Sequence, residues 1–187
     1  MKALKSAVAI LVVFLALCSS ASAQTRPQQT LRSSCRKFVT NFYSWYLVND
    51  PIDQKAAGDS ALQDRSYLFS PAIVQALRED EQAQEKAGSD LVSLDMDPFA
   101  GPDGLAEGYK IEKIAIADGR CRAEVHGIRG GKEYETPDVI PELTIKNGTW
   151  LFVDFCFPSP SEPKGSSLLA MLKELRAGEK RQGSGSR

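Results

Sequence analysis

Three closely spaced aspartates are the first residues whose type and spacing could do chemistry. Asp95, Asp97 and Asp103 lie in a segment, 89–108, that contains prolines and glycines and is predicted to be a long loop. Carboxylate oxygens are the ligands that Ca²⁺ takes in proteins. The spacing does not match an EF-hand because a Pro-Phe pair interrupts it, and turn aspartates that accept backbone hydrogen bonds show the same pattern. The prediction is a loop without a metal site.

Asp154 is the candidate for a catalytic acid or base. It stands among apolar residues of a predicted strand, where burial would raise its pKa. Tyr43 and Tyr46, on a predicted helix, could reach the same space, and some isomerases combine an aspartate base with a tyrosine hydrogen-bond donor. The other interpretation is an aspartate that is hydrogen-bonded to a helix start or to a tyrosine.

His126 is the only histidine in the chain. A single histidine argues against a histidine-rich metal site, and alternation along its strand predicts that it lies on the surface beside Glu124. The sequence also lacks a phosphate-binding glycine loop, a G-x-S-x-G nucleophile turn and a C-x-x-C pair. The prediction is therefore no cofactor and no metal.

The beginning of the chain predicts export. Residues 1–23 combine two early lysines, an apolar run and an Ala-Ser-Ala cleavage site, which is typical of a secretory signal peptide. The mature protein is then periplasmic or secreted and has no membrane span, since no later stretch approaches the roughly 20 apolar residues needed. A lipid anchor on Cys18 is the less favoured alternative because Leu17 precedes it. The net charge of −1, without a basic cluster, argues against nucleic acid as a partner.

Three cysteines remain after residues 1–23 are removed: Cys35, Cys121 and Cys156. An oxidising compartment permits one disulfide among them. In a simple meander Cys121 and Cys156 would lie at opposite edges of the sheet, beyond the roughly 7 Å that a disulfide spans between Cα atoms. Cys35 is therefore predicted to pair with either Cys121 or Cys156.

The apolar pattern predicts helices first and strands second. A helix over about 34–48 carries an aromatic face, and a second helix over about 71–86 begins at a Ser-Pro cap. The Asp-Gly and Asn-Gly pairs at 118–119 and 147–148 predict two hairpins, and so four antiparallel strands. A short helix over 166–177 follows. The remaining ends, 24–34 and 178–187, are predicted to be a flexible lead and a disordered tail.

This α+β order resembles the NTF2-like, cystatin-like fold, in which a helix packs on a curved antiparallel sheet. Several motifs are similar to the exported bacterial domains of unknown function called DUF3828. They are Phe38-x-x-x-Phe42-Tyr43-x-Trp45-Tyr46, Tyr67-Leu68-Phe69-Ser70-Pro71, Asp95-x-Asp97-Pro98-Phe99 and Trp150-x-Phe152-Val153-Asp154-Phe155. The resemblance covers roughly 35–175 and departs at Pro102-Asp103, where a Gln-Asp pair is expected. It implies this fold and an exported location, with no reaction to carry over. Residues 35–177 are predicted to form a single NTF2-like domain.

The sequence favours a non-catalytic binding module. The expected ligand is a small apolar molecule, or else a protein partner, held in a cavity between helix and sheet with Tyr43, Tyr46 and Trp150 as contacts. One alternative is a cavity enzyme of isomerase or dehydratase type that uses Asp154. Another is an immunity-like inhibitor that inserts the loop around 95–103 into the active site of a partner.

Overall fold

A sheet of six antiparallel strands and four α-helices make up the described part of the chain, so the fold class is α+β as predicted. The computed structural model describes residues 26–49, 54–88, 93–104 and 106–184. The predicted signal peptide, 1–23, lies outside the described residues. Leu31–Arg187 is one compact unit, and of the other, Met1–Thr30, helical residues 26–30 are described.

The elements follow one another in the order helices, strands, helix. The helices are α1 (Arg26–Asn49), α2 (Gln54–Asp64), α3 (Pro71–Ala87) and α4 (Leu168–Ser184), with a 3-10 turn at Ser66–Leu68. The strands are β1 (Gly108–Ala117), β2 (Arg120–Arg129), β3 (Lys132–Glu133), β4 (Ile140–Lys146), β5 (Thr149–Ser159) and β6 (Glu162–Ser167). Within the described residues no helix is long and apolar enough to cross a bilayer.

Both predicted hairpins form with two-residue turns. Asp118 and Asn147 have φ of 50° and 53°, and the glycine after each also has a positive φ, as this type of turn requires. The first turn joins β1 to β2 and the second joins β4 to β5. The strand order is β1-β2-β4-β5-β6, and β3 pairs with β2 outside this path.

The prediction of four strands was too low. β3 lies between the two hairpins, and β6 lies between the second hairpin and α4. Gly165 makes β6 possible because its φ is +79° and an added Cβ would stand 2.8 Å from the backbone of Phe157 on β5. No residue with a side chain fits that close approach.

The helix boundaries also differ from the prediction. α1 starts at Arg26, so most of the predicted flexible lead is helical; Pro27 falls in the first turn, where its missing N–H is not needed. α2 lies between the helices predicted over 34–48 and 71–86 and was not itself predicted. α4 starts later than predicted and continues to Ser184, through most of the predicted disordered tail. α3 is close to its prediction, with the Ser70 hydroxyl accepting from the amide of Ile73.

Aromatic side chains of α1 form the centre of the core. The Phe42 ring lies 4.9 Å from that of Phe152 on β5 and 5.9 Å from that of Phe99, between ring centroids. Phe69 stacks on Phe99 at 4.8 Å, and Phe155 lies 5.0 Å from Phe99. All five are at most 4% exposed. Each such buried ring contributes about 1.5–3 kcal/mol, so this cluster joins helix, loop and sheet.

A disulfide fastens α1 to the sheet. The bond joins Cys35 to Cys121 on β2, with 6.8 Å between the Cα atoms, and so corresponds to one of the two pairings that the sequence left open. Cys156 is a buried free thiol. Burial, and then the negative charge of Glu142, raise the Cys156 pKa to about 11, so this thiol is a poor nucleophile at neutral pH.

Candidate functional site

A cavity of about 450 Å³ opens between α2, α3 and residues 93–104, which we call the acidic loop. Its apolar walls include Leu62, Leu77, Leu94 and Met96, from all three elements. Carboxylates stand among them; the acidic residues of the lining are Asp59, Asp80, Glu81, Asp95 and Asp97. The cavity therefore combines apolar surface with an excess of negative charge.

α3 contributes to the cavity through one continuous stripe. Ile73 and Leu77 are buried, and Asp80 follows them on the same face at the spacing of a helix. Although charged, Asp80 is only 7% exposed. Arg176 of α4 donates to its Oδ1 at 2.7 Å, and the amide of Leu94 donates to its Oδ2 at 2.9 Å. A buried carboxylate needs such partners, and these two fix the acidic loop to both helices.

Asp97 anchors the acidic loop from within. Its Oδ1 accepts from the amides of Phe99 and Ala100 at 2.8 and 2.7 Å. The hydroxyl of Tyr46 donates to both carboxylate oxygens, at 3.0 and 2.9 Å. Burial raises the Asp97 pKa above its ordinary value, and these three hydrogen bonds act against that rise. With its oxygens occupied and 2% exposed, Asp97 is a structural residue of the cavity wall.

The two tyrosines predicted as ligand contacts instead support the loop. Tyr43 donates to the carbonyl of Phe99 at 2.8 Å, and Tyr46 donates to Asp97. Both are 1% exposed, and neither is among the residues that line the cavity. Burial is the main cause that raises the pKa of each phenol well above its ordinary value, so both remain neutral donors.

Trp150, the third predicted contact, also packs in the core. Its indole Nε1 donates to the hydroxyl of Ser34 on α1 at 3.1 Å, and the residue is 7% exposed. The predicted cavity between helix and sheet corresponds, in the described residues, to tightly packed aromatic rings. The described cavity lies instead on the side of α2 and α3.

The carboxylate of Asp154, the predicted catalytic residue, is hydrogen-bonded at the start of α4. Its Oδ1 accepts from the amides of Phe155 and Leu169 at 2.9 and 3.3 Å, and its Oδ2 accepts from the hydroxyl of Ser167 at 2.5 Å. The Leu169 amide belongs to the first turn of α4 and Ser167 precedes that helix, so Asp154 supports the start of α4. Asp154 does not line the cavity, so the geometry gives the catalytic hypothesis no support.

Of the predicted loop aspartates, the structure brings two to the cavity. Asp95 is exposed at the lining and Asp97 is buried in it, whereas Asp103 is exposed and is not part of the lining. Sequence reasoning missed Asp59 because α2 was not predicted. It also missed Asp80, although a signal was present: the apolar stripe of α3 continues through this position, which indicates a buried acid.

A second, wider groove of about 690 Å³ runs along the other side of α3. Tyr67, which is 66% exposed, lies there with Val74 and Arg78. Its mixed charges single out no ligand. The cavity at the acidic loop is therefore the candidate site. Comparison of the chain with family models, with curated proteins and with solved structures finds no match.

Proposed function

We propose that this chain is an exported, non-catalytic binding module that holds a small amphipathic cation in the cavity at the acidic loop. The observation that carries the proposal is the composition of the lining: apolar walls with five carboxylates, and no lysine or arginine among the described lining residues. The sequence predicted either a small apolar ligand or a protein partner. Because the lining carries carboxylates, we expect the ligand to carry a positively charged group as well as an apolar part.

Three of the carboxylates have charge to offer a ligand. Asp80 is engaged by Arg176, and the oxygens of Asp97 accept three hydrogen-bond donors. Asp59, Glu81 and Asp95 take part in no ion pair within the part of the chain that the structure describes. Clustered charges of one sign beside low-dielectric walls attract a cation and orient it during association.

The walls define the rest of the ligand. Leu62, Leu77, Leu94 and Met96 offer aliphatic and thioether surface, and methionine adapts readily to different shapes. A volume of about 450 Å³ lies within the range of roughly 300–1,000 Å³ that is usual for small-molecule sites. An alkylamine or a compact aromatic amine satisfies both requirements, with the apolar body inside and the ammonium group at Glu81 and Asp95.

An NTF2-like arrangement is part of the same proposal. Two observations support it: α1 contacts β5 through Phe38 and Phe152, whose ring centroids are 5.2 Å apart, and the ladders of β1–β2 and β4–β5 each contain a register shift. Such shifts bend a sheet. The proposed ligand site differs from the helix–sheet pocket that the resemblance implies, since aromatic rings fill that space.

The two other functions suggested by the sequence receive no specific support. A cavity enzyme would need Asp154 free beside a pocket, and its carboxylate caps α4. An inhibitor that inserts the acidic loop would need a protruding loop, and this one is held at Asp97 and at Leu94. We therefore retain the binding module.

Calorimetry with octylamine, octanol and octanoate tests the proposal, since these probes share one alkyl chain and differ in charge. Octylamine should bind most tightly and should weaken as salt is added. The double variant Glu81→Gln/Asp95→Asn should lose about 2–5-fold per carboxylate, as exposed ion pairs do. Glu85→Gln, at an exposed position of α3 outside the lining, is the matched control and should bind as the wild type does.

Two results would contradict the proposal: octanoate binding as tightly as octylamine, or a double variant that binds like the control.

Export is tested separately. Expression in a bacterium with an intact secretion system, followed by sequencing of the amino terminus of the periplasmic protein, should give Gln24 as the first residue. Recovery of the uncleaved chain from the cytoplasm would reject the export proposal.

A further inference from the structure

A second group of residues that could bind a ligand lies outside the cavity at the acidic loop, on three adjacent strands of the sheet. Glu112 of β1, His126 of β2 and Glu133 of β3 each offer a ligand atom, and these atoms all lie within 4.8 Å of one another. Strand pairing brings them together: Lys110 is opposite His126, and Ile128 is opposite Glu133. None of the three residues lines the cavity at the acidic loop.

His126 is buried, and one of its two ring nitrogens has no hydrogen-bond partner among the described residues. His126 is 3% exposed, so the prediction from alternation that it lies on the surface was wrong. Its Nδ1 lies 2.8 Å from the carbonyl oxygen of Tyr134. A carbonyl only accepts, so Nδ1 carries a proton, and in the neutral imidazole Nε2 has its lone pair available. Among the described residues Nε2 has no hydrogen-bond partner, and Oε2 of Glu112 lies 3.9 Å away.

A buried nitrogen without a partner costs free energy unless something occupies the lone pair. An imidazole that donates one N–H to a backbone carbonyl and presents the other nitrogen is also the usual arrangement of a metal-bound histidine. We propose that His126, Glu112 and Glu133 bind a divalent transition-metal ion, for which Zn²⁺ is the appropriate probe. One imidazole and two carboxylates suit such ions, and three protein ligands leave a position for water.

The geometry needs only small movements of two exposed side chains. Metal bonds of about 2.0–2.2 Å in a tetrahedral site place the ligand atoms about 3.4 Å apart. The carboxylate side chains of Glu112 and Glu133 are 43% and 32% exposed, so both can turn toward Nε2 of the fixed imidazole. The buried histidine therefore sets the position of the ion, and the two glutamates close around it.

Lys110 occupies the place of a cation in this cluster. Its Nζ lies 2.7 Å from Glu112 and 2.8 Å from Glu133, so the ammonium bridges the two carboxylates. This side chain is 51% exposed and can leave for solvent. Metal and ammonium then compete for the same oxygens. Removal of Lys110 should strengthen metal binding, whereas a purely structural salt-bridge cluster predicts no metal binding with or without it.

Titration of the untagged protein with Zn²⁺ tests the site. Calorimetry measures the binding, and NMR of the imidazole nitrogens reports where the ion binds. Because the chain contains a single histidine, those resonances report on His126 alone. One ion should bind and shift Nε2 more than Nδ1. Glu133→Gln should weaken binding at least about tenfold, by removing a ligand. Lys110→Ala should strengthen it several-fold.

Glu124→Gln is the matched control. Glu124 lies on β2 near His126 and pairs with Lys113 at 3.1 Å, so it has the same kind of exposed salt bridge without a metal ligand role. This variant should bind Zn²⁺ as the wild type does. His126→Asn should abolish binding; if it does not fold, the two surface variants Glu133→Gln and Lys110→Ala decide the question. Absence of Zn²⁺ binding, unchanged imidazole resonances, or equal affinities in Glu133→Gln and Glu124→Gln would overturn the proposal.

Discussion

Two buried tyrosines on α1 provide a matched comparison for the acidic loop. Tyr46 donates to the carboxylate of Asp97, and Tyr43 donates to the neutral carbonyl of Phe99. Both hydroxyls are buried, and the two side chains are equally exposed, at 1%. Tyr46→Phe and Tyr43→Phe each remove one oxygen from the same helix, so the two variants differ mainly in the charge of the acceptor that loses its donor.

The charge decides the expected size of each effect. A net hydrogen bond to a neutral group contributes about 0.5–1.5 kcal/mol, and one to a charged group about 1.5–3 kcal/mol. Tyr43→Phe should therefore lower the free energy of unfolding by about 1 kcal/mol. Tyr46→Phe should lower it by about 2–3 kcal/mol when Asp97 is ionised.

The cost of Tyr46→Phe should also depend on pH. Burial raises the folded-state pKa of Asp97, and the hydrogen bond from Tyr46 lowers it. Losing that bond raises the pKa further, so the variant pays its full cost above both folded-state pKa values and less as pH falls and the carboxyl becomes protonated. The wild type itself loses stability as pH rises from the ordinary aspartate pKa through the raised one, because the folded state binds the proton more tightly.

Urea unfolding followed by tryptophan fluorescence, from about pH 4 to about pH 9, measures both variants against the wild type. The gap between them should be widest at the alkaline end and should narrow on acidification. Equal costs at every pH, or a Tyr46→Phe cost that does not change with pH, would refute the idea that Asp97 is held as a charged anchor.

Four further variants test the framework around the site. Replacing both Cys35 and Cys121 by serine should lower the free energy of unfolding by about 4–5 kcal/mol, since the bridge closes a loop with a sequence separation of 86. Urea unfolding measures this loss, and wild-type protein treated with reductant is the comparison. Asp154→Ala should lower the free energy of unfolding by about 1–2 kcal/mol, because the start of α4 loses a hydrogen-bond acceptor. Calorimetry should find its octylamine affinity unchanged. Lost binding with unchanged stability would instead support a functional role for Asp154. Gly165→Ala should destabilise by about 1–3 kcal/mol through its backbone clash, while Gly178→Ala, with open space at its Cβ, should stabilise by about 0.5–1 kcal/mol in thermal unfolding.

Features that depend on a few neighbouring residues could be read from the sequence. The hairpin turns follow from the positive φ that Asp118-Gly119 and Asn147-Gly148 adopt, and the start of α3 follows from the Ser70 cap. The aromatic face of α1 is likewise a local pattern, and its residues are in the core. These are properties of short stretches, so distant residues change them little.

Features that depend on distant partners could not be read in this way. The apolar stripe of α3 indicates that Asp80 is buried, but it does not reveal its partner, Arg176, which lies 96 residues further along. His126 is buried and its Nδ1 contacts the carbonyl oxygen of Tyr134, and alternation along one strand carries no information about what covers that strand. The candidate site is the clearest case, since its walls come from a helix that the sequence did not predict and from a loop held by long-range hydrogen bonds.

The disulfide also determines how the cavity can move. Every described residue of the cavity lining belongs to the stretch 58–102, and this stretch lies wholly inside the covalent ring closed between Cys35 and Cys121. If α2, α3 and the acidic loop open together, both ends of the ring stay fastened to the same point of the body. A closed ring samples a smaller volume than a free chain end and has less entropy to lose on return. Opening of this stretch would therefore leave it covalently joined to the rest of the domain at both ends.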